Sequence, residues 1–281
     1  MTTIDSSKAE NRFRYTRSPF IDGVTFLNAQ MHDFSYDKHA HEEFSFGVTL
    51  SGRQDFFCSR SFHKSAPGNI IIFNPEEVHD GQPGGDDTLK YGMLYIHPEQ
   101  LFGPLAAAGA KQPRDFRLTD TLFNDVQLRH NLLALMSQID QGNTLEQDAH
   151  IHAIAARLAQ LEGQYLPNQT TRKSDRLIQT AKSFVQASFQ QDITIEDIAQ
   201  TANMSKYHFI RLFRTQQGIT PHQYVINCRV NYAKRRLEKG DDINTIALDS
   251  GFSDVSHLNR RFKPFFGLTP KQYQMAYLAT R

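Results

Sequence analysis

The sequence predicts an α+β protein: an N-terminal β-barrel with two helices after it, then an all-α domain. Three observations predict this. Short runs with alternating apolar residues, separated by Gly/Pro turns, crowd residues 20–100. From residue 120 onward the apolar residues recur at helical spacing instead. The heptapeptide GITPHQY (218–224) returns as GLTPKQY (267–273), forty-nine positions later, marking one helical unit used twice.

The β part is read strand by strand. FSFGVTL (44–50) alternates Phe44, Phe46, Val48 and Leu50; Ser51-Gly52 turns the chain, and QDFFCS (54–59) returns. NIIIF (69–73) is a short buried run that Asn74-Pro75 stops, and LKYGMLYIH (89–97) is another. Loops such as GQPGG (81–85) separate them. Several short strands in series suggest an all-β sandwich or barrel.

Two amphipathic helices follow, over 120–139 and 145–166. Leu122, Val126, Leu132, Leu133 and Met136 form the inward stripe of the first, and Ile151, Ile154, Leu158 and Leu161 that of the second. PNQTTRKS (167–174) is polar, opens with Pro and reads as a linker. The expected division is therefore 1–166, a barrel with two helices, 167–174, a linker, and 175–281, a helical domain.

Charge divides the same way. The net charge of +1 combines a balance of +8 from Arg172 onward with −7 before it, which points the C-terminal part toward nucleic acid. No apolar run is long enough to span a bilayer, the N-terminus carries no secretory signal, and Cys58 and Cys228 are the two cysteines. A reducing, cytoplasmic setting is expected.

In the repeat, Ile198 and Ala199 match Ile246 and Ala247, while Phe209, Phe213, Gly218 and Pro221 match Leu258, Phe262, Gly267 and Pro270. Each copy predicts a short helix (195–202, 243–250), a tight turn with positive φ at Asn203 or Gly251, and a second helix capped by Ser205 or Ser253. Gly218 and Gly267 end that second helix in the left-handed conformation. Thr220 and Thr269 cap the next one, with Pro221 and Pro270 at its first position. A short helix, a tight turn and a second helix with a polar outer face make a helix-turn-helix. Between the copies, Ile226, Val230, Ala233 and Leu237 lie on one face of a helix that Gly240 ends. About seventeen residues make a rod of roughly 25 Å, of the order needed to set two reading helices in successive major grooves about 34 Å apart.

Residues 175–277 resemble the DNA-binding domain of the AraC/XylS family of transcription regulators, above all in RVNYAKRRLE (229–238) and DINTIALDSGFSDVSHLNRRFKPFFGLTPKQY (242–273). The resemblance implies base contacts from Tyr207, Ile210 and Arg211 in the first reading helix, with Ile210 where the family commonly has a polar residue. In the second it implies them from Val255, Ser256, Asn259 and Arg260. Arginine suits guanine, asparagine adenine, and an apolar side chain the thymine methyl. Lys263, Arg261 and Arg214 suit phosphate contacts, and Lys206, which faces outward, with Ser205 and Ser253 at the helix starts, completes the expected DNA-binding set. The implied partners are promoter DNA, a small-molecule effector, RNA polymerase (activation being the commoner mode) and a second copy of the chain.

HAHEEFSFGVTLSG (39–52) resembles the first motif of cupins and PGNIIIFNPEEVH (67–79) the second, so the barrel is expected to be cupin-like. His39 and His41 share a strand face that Glu43 continues, and His79 follows the later turn. Three readings stay open for these residues: an effector pocket lined by His39, His41, Glu43 and His79; a metal site on the three histidines; or structural histidines held by loop backbone. No catalytic triad, P-loop or dinucleotide fingerprint is present, and no cofactor is expected. The leading reading is a ligand-responsive transcription regulator rather than an enzyme. A metal-dependent cupin enzyme with a DNA-binding tail, or a DNA-binding protein without an effector, are the alternatives.

Overall fold

The computed structural model describes residues 10–161 and 173–279. Strands β1 (Arg12–Arg17), β2 (Val24–Met31), β3 (Tyr36–His39), β4 (Phe44–Ser51), β5 (Gln54–Cys58), β6 (Ser61–Ser65), β7 (Ile70–Phe73), β8 (His79–Pro83) and β9 (Leu89–Ile96) come first. Then follow α1 (Pro98–Ala107), β10 (Leu122–Phe123), α2 (Val126–Gln138) and α3 (Thr144–Gln160). The rest is helical: α4 (Lys173–Ser188), α5 (Ile195–Thr201), α6 (Lys206–Gln217), α7 (Pro221–Lys239), α8 (Ile243–Asp249), α9 (Val255–Phe266) and α10 (Pro270–Leu278).

Two antiparallel sheets form the barrel, one in the order β1-β2-β9-β4-β7-β10 and one in the order β3-β8-β5-β6. The larger sheet is buried on both faces, which is why β4, β7 and β9 read as nearly continuous apolar runs. Period 2 sorts their side chains. Phe44, Phe46, Val48, Ile70, Ile72, Leu94 and Ile96 pack outward against α1–α3. Ile71, Phe73, Tyr91, Met93 and Tyr95 point into the barrel.

That inner core does not stop at the barrel. It is continuous with Val230, Ala233 and Leu237 of α7 and with Leu258, Phe262, Phe265 and Phe266 of α9. A third core joins α4, α5, α6 and the start of α7 through Ile178, Ile198, Phe209, Phe213 and Val225, with Val78 of the barrel packed against it. The barrel therefore touches both helical units. Tyr15 donates to the carbonyl of Phe266 at 3.1 Å on one side, and Lys182 pairs with Glu76 at 3.0 Å on the other.

The first of the two expected helices, α2, departs from the sequence reading. Leu122 belongs to β10, pairing with Ile71, and Asp125 caps α2 by accepting from Leu128 N, so the helix starts at Val126. That start rotates the stripe. Leu128, Leu132, Leu135 and Met136 are buried, while Val126 is 71% and Leu133 37% exposed. In α3 the expected Ile151, Ile154 and Leu158 are buried. The expected linker falls on 167–172, outside the described residues, and on Lys173 and Ser174, which begin α4. Strands β1, β2, β3 and β6 and helix α1 had no separate signal in the sequence, and the expected loop GQPGG gives up its first three residues, 81–83, to β8, which pairs with β5.

Candidate nucleic-acid interface and effector site

The repeated joints adopt the geometry that their residues demand. Gly218 (φ 75°) and Gly267 (φ 74°) end α6 and α9 in the left-handed region. Thr220 and Thr269 each form a capping box with the glutamine three residues on. Asn203 (φ 51°) and Gly251 (φ 80°) make the tight turns. The caps of the second helices differ from expectation. Ser205 occupies the cap position of α6 without a side-chain bond, and the cap of α9 is Asp254, accepting from His257 N at 2.7 Å, rather than Ser253. Asp254 lies where the second copy carries its one extra residue, and a carboxylate there both accepts the amide proton and meets the positive end of the helix dipole.

With Phe209 and Phe213 inward, α6 presents Lys206, Tyr207, Arg211 and Arg214 to solvent, Tyr207 being 84% exposed. Ile210 is half-buried between core and surface. Lys206 reaches back to Glu196 at 2.6 Å, a surface pair that a phosphate could displace. With Leu258, Phe262, Phe265 and Phe266 inward, α9 presents Ser256, Arg260, Arg261 and Lys263, with Val255 and Asn259 half-buried at the edge of that face. Ser253 is exposed and bonds to Asp254 at 3.1 Å. Neither reading helix is sealed inside the fold.

At the barrel mouth the structure gathers three of the four expected side chains. His39 ends β3, His41 lies in the crossing to the larger sheet, and His79 opens β8. Their ligating nitrogens all lie within 4.8 Å of one another, and all three residues are buried. His39 Nδ1 lies 2.6 Å from the carbonyl of Asp37, and His79 Nδ1 lies 2.8 Å from that of Glu77. Burial pushes the His39 imidazolium down to about 4. Burial also holds His41 and His79 well below the ordinary histidine value, helped at His41 by its two neighbours and Lys234 and at His79 by His39. All three rings are therefore neutral at pH 7.

Glu43 does not join them. The strand ends at His39, so the alternation that placed Glu43 on the same face is broken by the crossing segment. Glu43 instead meets Lys234 of α7 at 2.5 Å, and Lys234 also meets Glu238 at 3.0 Å. Burial works against the Lys234 charge, but the carboxylates of Glu238 and Glu43 outweigh it and raise its pKa. Burial likewise works against Glu43, and Lys234 outweighs it, holding the carboxyl below its usual range.

Helix α7 grips the crossing segment at Ala40. The Ala40 amide donates to Asn227 Oδ1 and the Ala40 carbonyl accepts from Asn231 Nδ2, both at 2.9 Å. The sequence reading missed these residues. Their signal is a polar row, Asn227, Asn231 and Lys234 at i, i+4 and i+7, running beside the apolar stripe of α7 and equally buried.

Beside this grip, a cavity of about 260 Å³ opens between the barrel and the helices. His41 reaches it from the barrel, and Tyr224 and Cys228 from α7. Two ion pairs flank it, Lys182 with Glu76 and Arg235 with Glu42.

Comparisons with known proteins agree with this architecture. The pattern described as an AraC-like ligand binding domain matches residues 23–180, and that described as a helix-turn-helix domain matches 198–276. The uncharacterized HTH-type transcriptional regulator YbfI of Bacillus subtilis is 25% identical over 79% of this chain and 81% of its own length. A Staphylococcus aureus HTH-type regulator, SACOL0084, is 30% identical over 81% of this chain, which spans only 31% of that longer protein. Among solved structures, ToxT from Vibrio cholerae superposes with a TM-score of 0.58 at 12% identity, covering 92% of this chain and 99% of ToxT. A second ToxT structure, with unsaturated fatty acid bound, superposes with a TM-score of 0.59 at 13% identity, covering 95% and 97%. At that identity the likeness is one of fold. Among the described residues, no helix is long and apolar enough to cross a membrane. The pattern match over more than half the chain, together with the doubled helical unit, places this protein in the family of AraC-type transcription regulators, with an N-terminal ligand-binding domain and a C-terminal helix-turn-helix DNA-binding domain.

Proposed function

We propose that a small, polar, charged effector binds in the cavity between barrel and helices and changes how the two reading helices meet promoter DNA. One observation carries this reading. Helix α7, which spaces the two reading units, is also the helix that grips Ala40 and pairs with Glu43 at the barrel mouth. Any ligand that moves the mouth acts on the helix that sets the spacing. A tenfold change in DNA affinity needs only about 1.4 kcal/mol of differential binding.

The flanking residues argue for the effector's chemistry. Lys182 and Arg235 each hold a carboxylate of the protein itself, and a ligand carboxylate can exchange for either; Glu42 and Glu76 then become available to a ligand ammonium or hydroxyl. ToxT has been solved with an unsaturated fatty acid. The present cavity, flanked by two ion pairs, suits a smaller and more polar molecule. Of the expected effector residues His39, His41, Glu43 and His79, His41 lines the cavity; His39 and His79 are buried in the histidine cluster behind it and Glu43 is paired with Lys234, so those three do not line it.

Arg211, Asn259 and Arg260, with Tyr207, Ile210, Val255 and Ser256, are proposed to read bases. Lys206, Arg214, Lys263, Ser205 and Ser253 are proposed to hold phosphates. The division into an effector-binding part (1–166) and a DNA-binding part (175–281), pairing of two copies, recruitment of RNA polymerase, a cytoplasmic location and the lack of enzymatic activity belong to the same proposal. The test is selection of bound DNA from random sequence by the full chain, repeated with small carboxylates, amino acids and polyols. A shared motif in two half-sites whose affinity shifts with one of these compounds is expected. No enriched motif under any condition would refute the reading.

A further inference from the structure

We propose that His39, His41 and His79 form a binding site for one divalent transition metal ion of the zinc type, and that occupancy of this site is transmitted to α7 through Ala40.

The tautomers argue first. A carbonyl oxygen can only accept, so the contacts to Asp37 and Glu77 put the protons of His39 and His79 on Nδ1. Each of these two rings is left with a lone pair on Nε2. Backbone carbonyls that hold Nδ1–H and aim Nε2 are the arrangement that orients metal-ligating histidines.

The separations argue second. His39 Nε2 and His41 Nε2 lie 3.1 Å apart. Two nitrogens bound tetrahedrally at 2.0–2.1 Å from one zinc ion are about 3.3 Å apart. The His79 ring lies with its centroid 4.6 Å from that of His39 and 5.2 Å from that of His41. Closing the set on one ion takes only a small shift of the third ring. Without an ion, the Nε2–Nε2 contact obliges His41 to carry its proton on Nε2. With one, both lone pairs are used.

The surroundings fit. Phe73 stacks on His79 at 3.6 Å and Phe265 lies 5.2 Å from His39, so apolar rings shield the set. Ser45 pairs in register with both Phe73 and Tyr95 on the inward face, and its buried hydroxyl has no hydrogen-bond partner. Phe73 packs on His79 and Tyr95 on His41, so this hydroxyl lies on the strand position between the neighbours of two ligands. Neutral imidazoles with no thiolate and no carboxylate in the set suit Zn²⁺, Co²⁺ or Ni²⁺ and disfavour Mg²⁺ and Ca²⁺.

The coupling follows from position. Ala40 is the residue between two of the ligands, and both of its backbone groups are bonded by Asn227 and Asn231 of α7. Drawing His39 and His41 onto one ion reorients the Ala40 peptide, and α7 holds that peptide at both ends.

The site is tested on full-length protein, stripped with chelator and titrated with Co²⁺ in the absence of DNA and effector. One equivalent bound, with the visible bands of a four- or five-coordinate ion that Zn²⁺ then bleaches, is expected. His79→Gln should abolish the bands, while His152→Gln, on the surface of α3, should keep them. Wild type that takes up no more Co²⁺ than His79→Gln, or that gives only the weak spectrum of an octahedral surface ion, would overturn the site. Because the decisive spectrum is that of the wild type, a variant that fails to fold does not blunt the test. The coupling is tested by measuring affinity for a selected DNA with and without one equivalent of Zn²⁺. A change of several-fold in wild type that shrinks in Asn231→Ala is expected, and an unchanged affinity with the ion bound would overturn the coupling. Uptake is measured without DNA or effector, so its failure is distinct from failure of the regulator reading.

Discussion

Asn231 donates to the carbonyl of Ala40 across 191 positions of sequence, at 2.9 Å, in a buried setting. One turn earlier on the same helix, Asn227 accepts from the Ala40 amide. Both backbone groups of one barrel residue are thus satisfied by the helix that spaces the reading units. Removing either asparagine leaves a buried backbone group unpaired, at a cost of about 1–3 kcal/mol. Asn231→Ala is expected to lower the denaturant midpoint by an amount in that range and to increase tryptic cleavage between barrel and helices. Wild-type stability together with wild-type cleavage would show that the grip is not formed in solution.

The two reading helices should separate base choice from affinity. Arg260→Ala is expected to cost about 1–3 kcal/mol on a matched site and to relax preference at one base pair. Lys263→Ala should weaken matched and mismatched sites alike and reduce the salt slope of binding by about one. Binding titrations on both kinds of duplex at two salt concentrations distinguish them. Equal losses on matched and mismatched sites for Arg260→Ala would remove it from the base-reading set.

The two equivalent glycines should tolerate a methyl group unequally. Both have positive φ, so Gly218→Ala carries the left-handed penalty of about 1–2 kcal/mol. A Cβ on Gly218 would find nothing nearer than Val78 at 3.8 Å, but one on Gly267 would sit 2.6 Å from the ring of Phe13. Gly267→Ala therefore adds an overpacking cost of about 1–3 kcal/mol. Urea unfolding of the two variants should show Gly267→Ala clearly the less stable, and Phe13→Ala should relieve part of the difference. Equal losses would mean that the second unit is not seated on β1.

The cavity thiol offers a pH readout. Burial pushes the Cys228 thiol up to about 12. An ordinary thiol near 8.5 is about one quarter ionised at pH 8, whereas this one is ionised roughly once in ten thousand molecules. In a Cys58→Ser background, labelling of Cys228 by a disulfide reagent should be about a thousandfold slower than for free cysteine at pH 8 and should quicken as the pH rises. The sign for stability follows. Above about 9 the unfolded thiol ionises and the folded one does not, so folding loses stability as the pH climbs from there. Fast labelling at pH 8 would mean that barrel and helices part readily, and an effector in the cavity should slow it.

The sequence alone determined the features whose causes lie within a few residues. Gly218, Gly267, Asn203 and Gly251 sit where a chain needs positive φ. Thr220 and Thr269 close their capping boxes with neighbours three positions on. Phe209, Phe213, Leu258 and Phe262 are buried because their helical spacing leaves them no other face. The tertiary structure decided what depends on partners far along the chain. It turned Glu43 from the histidines to Lys234, joined the barrel's interior to the core of the second helical unit, and swung Val126 and Leu133 out to solvent. It also brought Asn227 and Asn231 to Ala40. The physical reason is that turns, caps and stripes answer to local sterics and periodicity. The pairing of a buried polar group is chosen by whichever distant backbone or charge arrives beside it: helical spacing shows that Asn227, Asn231 and Lys234 share a face, but not which distant group that face meets.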